Sequence, residues 1–496
     1  MADYDLAIIG GGLTGASIAR DAAGRSLRVL LLEQGDLASG ASAAASPLLL
    51  ADPWESGWRA LWKAAAERDI WMQTAPHLVR PVRCMMPSPA GELPPWQGRL
   101  ALSFRDRLAR VSALPTGVVA GDHDPFGVAL KQPSGPAFVC RGGLVDVVRL
   151  TIHCAVDAAE RGADIWTGAR CIRADRSDIW RLAVVNRGQR QIVSSRALVN
   201  AAGGWVASVA ETVLRLPPPR VVLRRSSQVV VRGLFDHDGA YVVRTADGRS
   251  LYAVPLGQGF TLIGAVARDF AGDSAAVSTS SRDVADLLDV ANRIFREQLL
   301  LSDPRHVLTG VHVVAGDGSP VPGDGVVGLQ HTAGEAPLLT VFGGTVTTAR
   351  RRAEAGMAVL AAFFPMPASW TAQATLPGGN IPAADVGGFI LAAGKRWPFL
   401  REPALRRLVE AYGTRIENLL DGVRVPDDLG PMFGEDLSAK EVRYLIGQQW
   451  ARFADDVIWR RSRLGLTMAA RDRERLEQFM TTRARVSGDP AARDDG

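Results

Sequence analysis

The chain has 496 residues, 47% of them apolar, four cysteines and a formal net charge of +5. That length exceeds one ordinary core and calls for two or three domains, while Cys84, Cys140, Cys154 and Cys171, without CxxC or CxxH spacing, exclude a zinc site and a disulfide framework. The charge comes from mixed Arg/Asp segments, which argues against nucleic acid as a partner, and no stretch approaches the roughly 18 apolar residues of a membrane span.

The start, MADYDLAIIGGG, lacks the basic-then-apolar order of a signal peptide, so cytoplasmic residence is expected. Residues 4–9 then read as a β-strand, 10–15 as a glycine-rich turn, 16–25 as a helix and 27–32 as a second strand ending at Glu33, which makes a βαβ unit. Its turn GGGLTG satisfies GxGxxG. Gly10 permits the tight turn, Gly12 lets a pyrophosphate approach the backbone, and Gly15 allows close helix–strand packing. The helix N-terminus presents free N–H groups to the anion. Glu33, 18 residues past Gly15, can accept hydrogen bonds from a ribose.

After Glu33 comes QGDLASGASAAAS, a small-residue run suited to lying under a bulky cofactor. Residues 54–160 read as mainly helical, with Pro/Gly-rich loops at PSPAGELPPW and LKQPSGP. RALVNAAGGW, residues 196–205, is an apolar strand ending in small residues that could return to the nucleotide half; taken alone it also reads as an ordinary buried strand and turn. Residues 220–270 are β-rich with turn dipeptides, as an antiparallel substrate-side sheet would be. A helix over 281–300 is expected next, and HVLTGVHVVAGDGSPVPGDGVVGL returns to strands. FPMPASWTAQATLPGGNIP marks a boundary, beyond which amphipathic patterns predict a helical region over 370–485; 486–496 has the composition of a disordered tail.

GGGLTGASIARDAAGRSL, APHLVRPV, GGLVDVVRL, LVNAAGGWV, APLLTVFGG and YLIGQQWARFADDVIWRRSRLGL occur in one order over residues 4–485, and together they resemble FAD-dependent glycerol-3-phosphate dehydrogenase. The resemblance implies an α/β FAD-binding domain of Rossmann/glutathione-reductase type over a discontinuous 1–365 region, an antiparallel β substrate domain at about 220–325, and a C-terminal all-α cap. It implies oxidation of sn-glycerol 3-phosphate to dihydroxyacetone phosphate, with hydride passing to FAD and electrons to an acceptor such as quinone. Peripheral contact at the inner face of a membrane and assembly as a homo-oligomer are compatible with it.

By the same resemblance, FAD contacts fall on Gly10, Gly12, Gly15, Glu33, Ser42, Cys171, Ala202, Gly203, Trp205, Gly310, Gly344 and Thr347. FGGTVTTARR becomes the flavin-holding turn, its helix N-terminus facing the pyrimidine end of the ring. The substrate side departs from the family pattern. Thr345 stands where a lysine is expected, His312 in GVHV where an arginine is, and Gln228 in RSSQ where a histidine is; LADPWE and GAVA replace two further motifs. The catalytic set is read as His312, Gln228, Arg225 and Thr345, with no metal. His312 would take a proton or serve as a hydrogen-bonded strand histidine; Gln228 would orient substrate; Thr345 would bond substrate or flavin or cap the helix. Arg224 and Arg225 would offset part of the lost charge. Asp455, Asp456, Trp459, Arg460 and Arg461 read as structural, through (i, i+4) contacts. Trp54, Trp58 and Trp62 read as core, or as a face toward a partner or membrane. Two other readings stay open: a flavin dehydrogenase or oxidase for a less anionic alcohol or amine, and an FAD-binding pseudoenzyme acting as a partner or regulator.

Overall fold

Strand alternation builds the first layer. In β1 (Tyr4–Ile9), Leu6 and Ile8 face one way and Ala7 and Ile9 the other, and each pair joins a different buried cluster. The computed structural model describes residues 2–50, 58–87, 117–119, 125–131, 137–244, 250–316 and 324–486. β1 pairs in parallel with β2 (Val29–Glu33) on one side and with the far-distant Gln189–Asn200 strand on the other. In the completed sheet, Val326–Gln330, Leu338–Phe342, Gln189–Asn200, β1, β2 and Asp164–Thr167 lie side by side. The strands Ala169–Arg176 and Trp180–Asn186 bring it to eight. Helices Leu13–Gly24, Val147–Glu160 and Ala349–Leu360 cover one face, and the meander of residues 169–200 covers the other. This is the α/β arrangement expected for the nucleotide half, and RALVNAAGGW does return to it as the neighbour of β1.

The second sheet has nine strands. Its edge pairs Val221–Arg232 with His306–Ala315 and with Phe260–Phe270, both antiparallel. The helix Ser281–Ile294, capped by the Ser280 side chain, packs Leu287, Leu288 and Ala291 against Val229, Val231 and Ile263. The opposite face of these strands, carrying Ser226 and Gln228, roofs a cavity. The sheet is not purely antiparallel, because Ala240–Arg244 runs parallel to Val79–Pro87.

Among the described residues of 54–160 helix does predominate, in Trp58–Thr74 and Val147–Glu160, but Val79–Pro87 and Ala137–Val145 form a long antiparallel pair between those helices that the sequence reading does not contain. Cys84, Met85 and Met86 are all buried, so both strand faces are apolar and the alternation that would have marked a strand is missing. The helix expected over 281–300 ends at Ile294. Residues 51–55 of LADPWE, Trp54, most of the two Pro/Gly-rich loops and the tail 487–496 lie outside the described residues.

Beyond Pro382, helices Val386–Arg396, Glu402–Tyr412, Ala439–Gln449 and Ala470–Val486 gather a core of their own, centred on Val409, Tyr412, Val442 and Leu445. Its tie to the first layer is partly apolar, through Trp450, and partly ionic. Arg461 donates to both carboxylate oxygens of Asp36, with Nη2 at 2.7 Å from Oδ1, and Arg460 reaches the same carboxylate. The cluster Asp456–Arg461 therefore acts chiefly across 424 and 425 residues of sequence, with the expected (i, i+4) contact of Arg460 and Asp456 as a subsidiary bond. Trp459 also stacks on His306 of the roof, centroids 3.9 Å apart. Trp62 is 48% exposed, so it is not core.

Candidate active site

Between the two sheets lies a cavity of about 720 Å³, toward the upper end of the usual range for a small-molecule site. Its nucleotide end is shaped by what glycine lacks. A Cβ on Gly10, whose φ is +114°, would meet the Ala201 carbonyl oxygen at 2.5 Å, and one on Gly15 would run into the carbonyl oxygen of Gly10. A Cβ on Gly12 would meet only the Ser42 hydroxyl, at 3.2 Å, and would otherwise project where a ligand must pass. Ser42 Oγ accepts from the Leu13 N–H at 3.0 Å. Glu33 accepts from Gly11 N–H at 2.7 Å and from Gly35 N–H at 2.8 Å, one bond to each oxygen, which fixes the carboxylate at the strand end. Burial pushes its pKa up, and the amides oppose that shift.

The other end is made by the turn after Leu338–Phe342. Gly343 and Gly344 have φ of +70° and +78°, which lets the chain reverse before the helix Ala349–Leu360 begins. Thr345 is exposed toward the cavity, its Oγ1 3.3 Å from that of Thr348. The N-cap is Thr348, without a side-chain cap bond, so the capping role considered for Thr345 falls one turn further along the chain. Beneath this turn lies Arg352, only 4% exposed. Its Nη2 donates to Thr14 Oγ1 at 3.0 Å and its Nη1 to the Thr345 carbonyl at 3.4 Å.

The roof presents neutral polar groups. Gln228 is buried; its amide nitrogen donates to the Ala44 carbonyl, and its Oε1 has no partner among the described residues. Tyr252 OH is buried with Ser46 beside it; burial drives its pKa up, and Ser46 opposes that shift. His312 lines the cavity, makes no hydrogen bond with the described residues, and sits opposite Arg224 in the strand pairing. Burial first, and the Arg224 charge second, pull its pKa below the ordinary histidine value, so the imidazole is neutral at neutral pH.

Thirteen of the residues singled out in the sequence line this one cavity: Gly10, Gly12, Glu33, Ser42, Cys171, Ala202, Gly203, Trp205, Gly310, Gly344, Gln228, His312 and Thr345. Three do not. Gly15 packs the helix on its strand, and Thr347 is buried beneath the turn. Arg225 points to the opposite face of the sheet, where it donates to Asp283 Oδ2 at 2.6 Å, because residues 226 and 228 occupy the cavity face and alternation sends 225 to the helix side. Arg225 is thus removed from the site, and Arg224, on the His312 side, pairs with the exposed Asp269 at 3.0 Å. Cys171 is a buried thiol whose pKa burial pushes up to about 12, so it serves as wall and not as nucleophile. Sequence reasoning missed Tyr252, Ser226, Thr14 and Arg352. For Arg352 a signal existed: the fourth residue of a helix directs its side chain back over the preceding turn.

These residues fit FAD. A glycine cradle open at Gly12, an acidic strand end, a small-residue wall at 39–46 and a glycine turn facing a helix N-terminus share one elongated cavity. The family model for FAD dependent oxidoreductases matches residues 5–351. A glycerol-3-phosphate dehydrogenase of Pseudomonas aeruginosa is 37% identical over 96% of this chain and 95% of its own length. A D-erythritol 1-phosphate dehydrogenase of Brucella abortus is 35% identical over 94% and 96%. Among solved structures, the glycerol-3-phosphate dehydrogenase of Bacillus halodurans complexed with FAD superposes with a TM-score of 0.75 at 20% identity, covering 99% of this chain and 92% of that one. With the cradle, the turn and the roof arranged around one cavity, and with kinship running nearly end to end, the chain belongs to the FAD-dependent oxidoreductases of the glycerol-3-phosphate dehydrogenase family.

Proposed function

We propose that this enzyme oxidises a secondary hydroxyl of a phosphorylated polyol, with glycerol 3-phosphate as the first candidate. The observation that carries this reading is the near end-to-end match to two relatives named for phosphorylated polyols. FAD, when bound, supplies the acceptor for the hydride that leaves the carbinol carbon. The protein's part is proton handling and orientation. His312, neutral and free to bond, takes the hydroxyl proton as the carbonyl forms. Gln228 Oε1, a buried acceptor left without a partner among the described residues, accepts from a second hydroxyl, and Tyr252 OH donates to the substrate from the cavity wall. Thr345 borders the reacting end from the turn.

Electrons are read as passing on to an acceptor such as quinone, which would bring the protein to the inner face of a membrane as a peripheral visitor. Among the described residues no helix is long and apolar enough to cross one.

A second reading, a less anionic alcohol or amine as donor, is favoured by one fact. The candidate cations Arg225 and Arg224 are engaged by Asp283 and Asp269, so among the described residues the arginines that line the cavity are Arg352 at the flavin turn and Arg170 beside Cys171. Two missing hydrogen bonds to a phosphate would cost about 3–6 kcal/mol, roughly a hundredfold to ten-thousandfold in affinity. The test is anaerobic bleaching of the flavin band. Rapid bleaching by glycerol 3-phosphate or erythritol phosphate upholds the first reading; bleaching only by a non-phosphorylated polyol or amine transfers the assignment to the second.

A further inference from the structure

Two consecutive buried arginines on the helix Ala349–Leu360 behave differently. Arg350 holds Glu67 through two bonds, Nε at 2.9 Å and Nη2 at 2.6 Å, and also reaches Glu354, so its charge is matched within the protein. Arg352 has no carboxylate within ion-pair distance among the described residues. Its contacts are the Thr14 and Thr348 hydroxyls and the Thr345 carbonyl, all neutral, and its Nε has no acceptor among the described residues. Asp324, whose charge acts on Arg352 from beyond ion-pair distance, is bound by Arg351 at 3.4 Å. Burial lowers the Arg352 pKa only to about 10, so the group stays cationic at neutral pH.

A guanidinium this deeply buried without a carboxylate in ion-pair contact is costly, since only the more distant Asp324 charge opposes its desolvation. It is tolerated where something brings an anion to it. Arg352 lines the cavity, directly beneath the turn at Gly344 and Thr345, and the glycine at 344 makes the approach close: any Cβ there would overlap the Arg352 Nη1. Accepting a hydride, which is two electrons and one proton, adds one negative charge to FAD. We propose that Arg352 is the counter-charge for that added electron density, holding the reduced flavin in preference to the oxidised one. This rests on FAD occupying the cavity, and not on which substrate reduces it.

The test compares purified holoenzyme with R352K and R352Q, reading the flavin midpoint potential by dye equilibration and the dissociation constant of oxidised FAD. R352Q is expected to lower the preference for reduced FAD about a hundredfold, equal to about 60 mV for a two-electron couple. R352K is expected to stay near wild type. An equal loss of affinity for both redox states, with the potential unmoved, overturns the proposal and assigns the charge to holding the pyrophosphate at the glycine-cradle end, where Thr14 lines the cavity. No change in either quantity also overturns it. If R352Q takes up no FAD, R352Q/T345K, which returns a cation from the cavity side of the turn, decides. Uptake with a near-wild-type potential upholds the proposal, and continued failure reduces Arg352 to a structural residue.

Discussion

Each oxygen of Glu33 accepts one backbone N–H, so Glu33→Gln, with a single acceptor oxygen, leaves one amide unpaired. An unsatisfied buried donor costs about 1–3 kcal/mol, and FAD affinity should fall roughly fivefold to a hundredfold by titration of the apoprotein. An unchanged constant would show that the ribose end does not depend on this carboxylate. At the other end, H312N should lower flavin reduction roughly 10²- to 10⁴-fold with FAD retained. A base must be unprotonated to act, and His312 is held below its ordinary pKa. Wild-type kcat/KM should therefore be flat above about pH 6.5 and fall only at lower pH, a limb that H312N should lose. The glycine cradle was legible in the sequence because it depends on backbone geometry alone. The arginine pair 224–225 was not: alternation says that one of two neighbours faces the cavity, but which one depends on strand register. Arg352 was hidden for a different reason, since its role arises from the absence of a carboxylate that only tertiary packing reveals.

At the scale of elements, the helix Val147–Glu160 carries the buried His153 into its contact with the residues that follow Leu376, and His77, from the turn before Val79–Pro87, packs beside it. His153 Nδ1 donates to the Pro377 carbonyl at 2.7 Å, and its Nε2 faces Arg149 Nη2 at 3.2 Å, so the ring is neutral with its proton on Nδ1. His77, 5.2 Å away between ring centroids, has neither nitrogen bonded among the described residues. Burial, with neighbouring charge, depresses both, His153 to about 3. The unfolded chain binds protons near pH 6.5 and the folded one does not, so stability is retained above that pH and lost as pH falls below it. The loss is about 1.4 kcal/mol per unit and per histidine. The urea midpoint should accordingly drop between pH 7.5 and 5.5, and H77L should shrink that drop without lowering the midpoint at pH 7.5. An undiminished drop in H77L would remove His77 from the account. His153 lies on a helix within a region that reads as helical, whereas His77 lies in the turn before Val79–Pro87, a strand whose buried run Cys84, Met85 and Met86 gave no period to follow.

For the whole molecule, the bond that matters most is far from the chemistry. Asp36 does not line the cavity, yet it lies three residues past Glu33 and is the partner of Arg461, which is 2% exposed. Asp36→Asn would strand that buried charge, a loss of about 3–5 kcal/mol, and should lower the Tm and release FAD more readily. D36N/R461M should recover much of the Tm. If the double variant is as unstable as D36N, the stranded charge is not the cause. The C-terminal helices were legible as a group from their periodicity, but their anchoring to residue 36 was not, because nothing local in the sequence records a partner 425 residues away.

That separation also sets an order of events in time. At a synthesis rate of about 5–20 residues per second, Asp36 leaves the ribosome roughly 20–85 seconds before Arg461 does. The strand Leu338–Phe342, which completes the parallel sheet beside Gln189–Asn200, is likewise late. The loop after Glu33 is therefore made long before the residues that pin it. Nascent chains stalled short of residue 460 should bind FAD weakly, so cofactor uptake belongs to the finished polypeptide and not to the growing one.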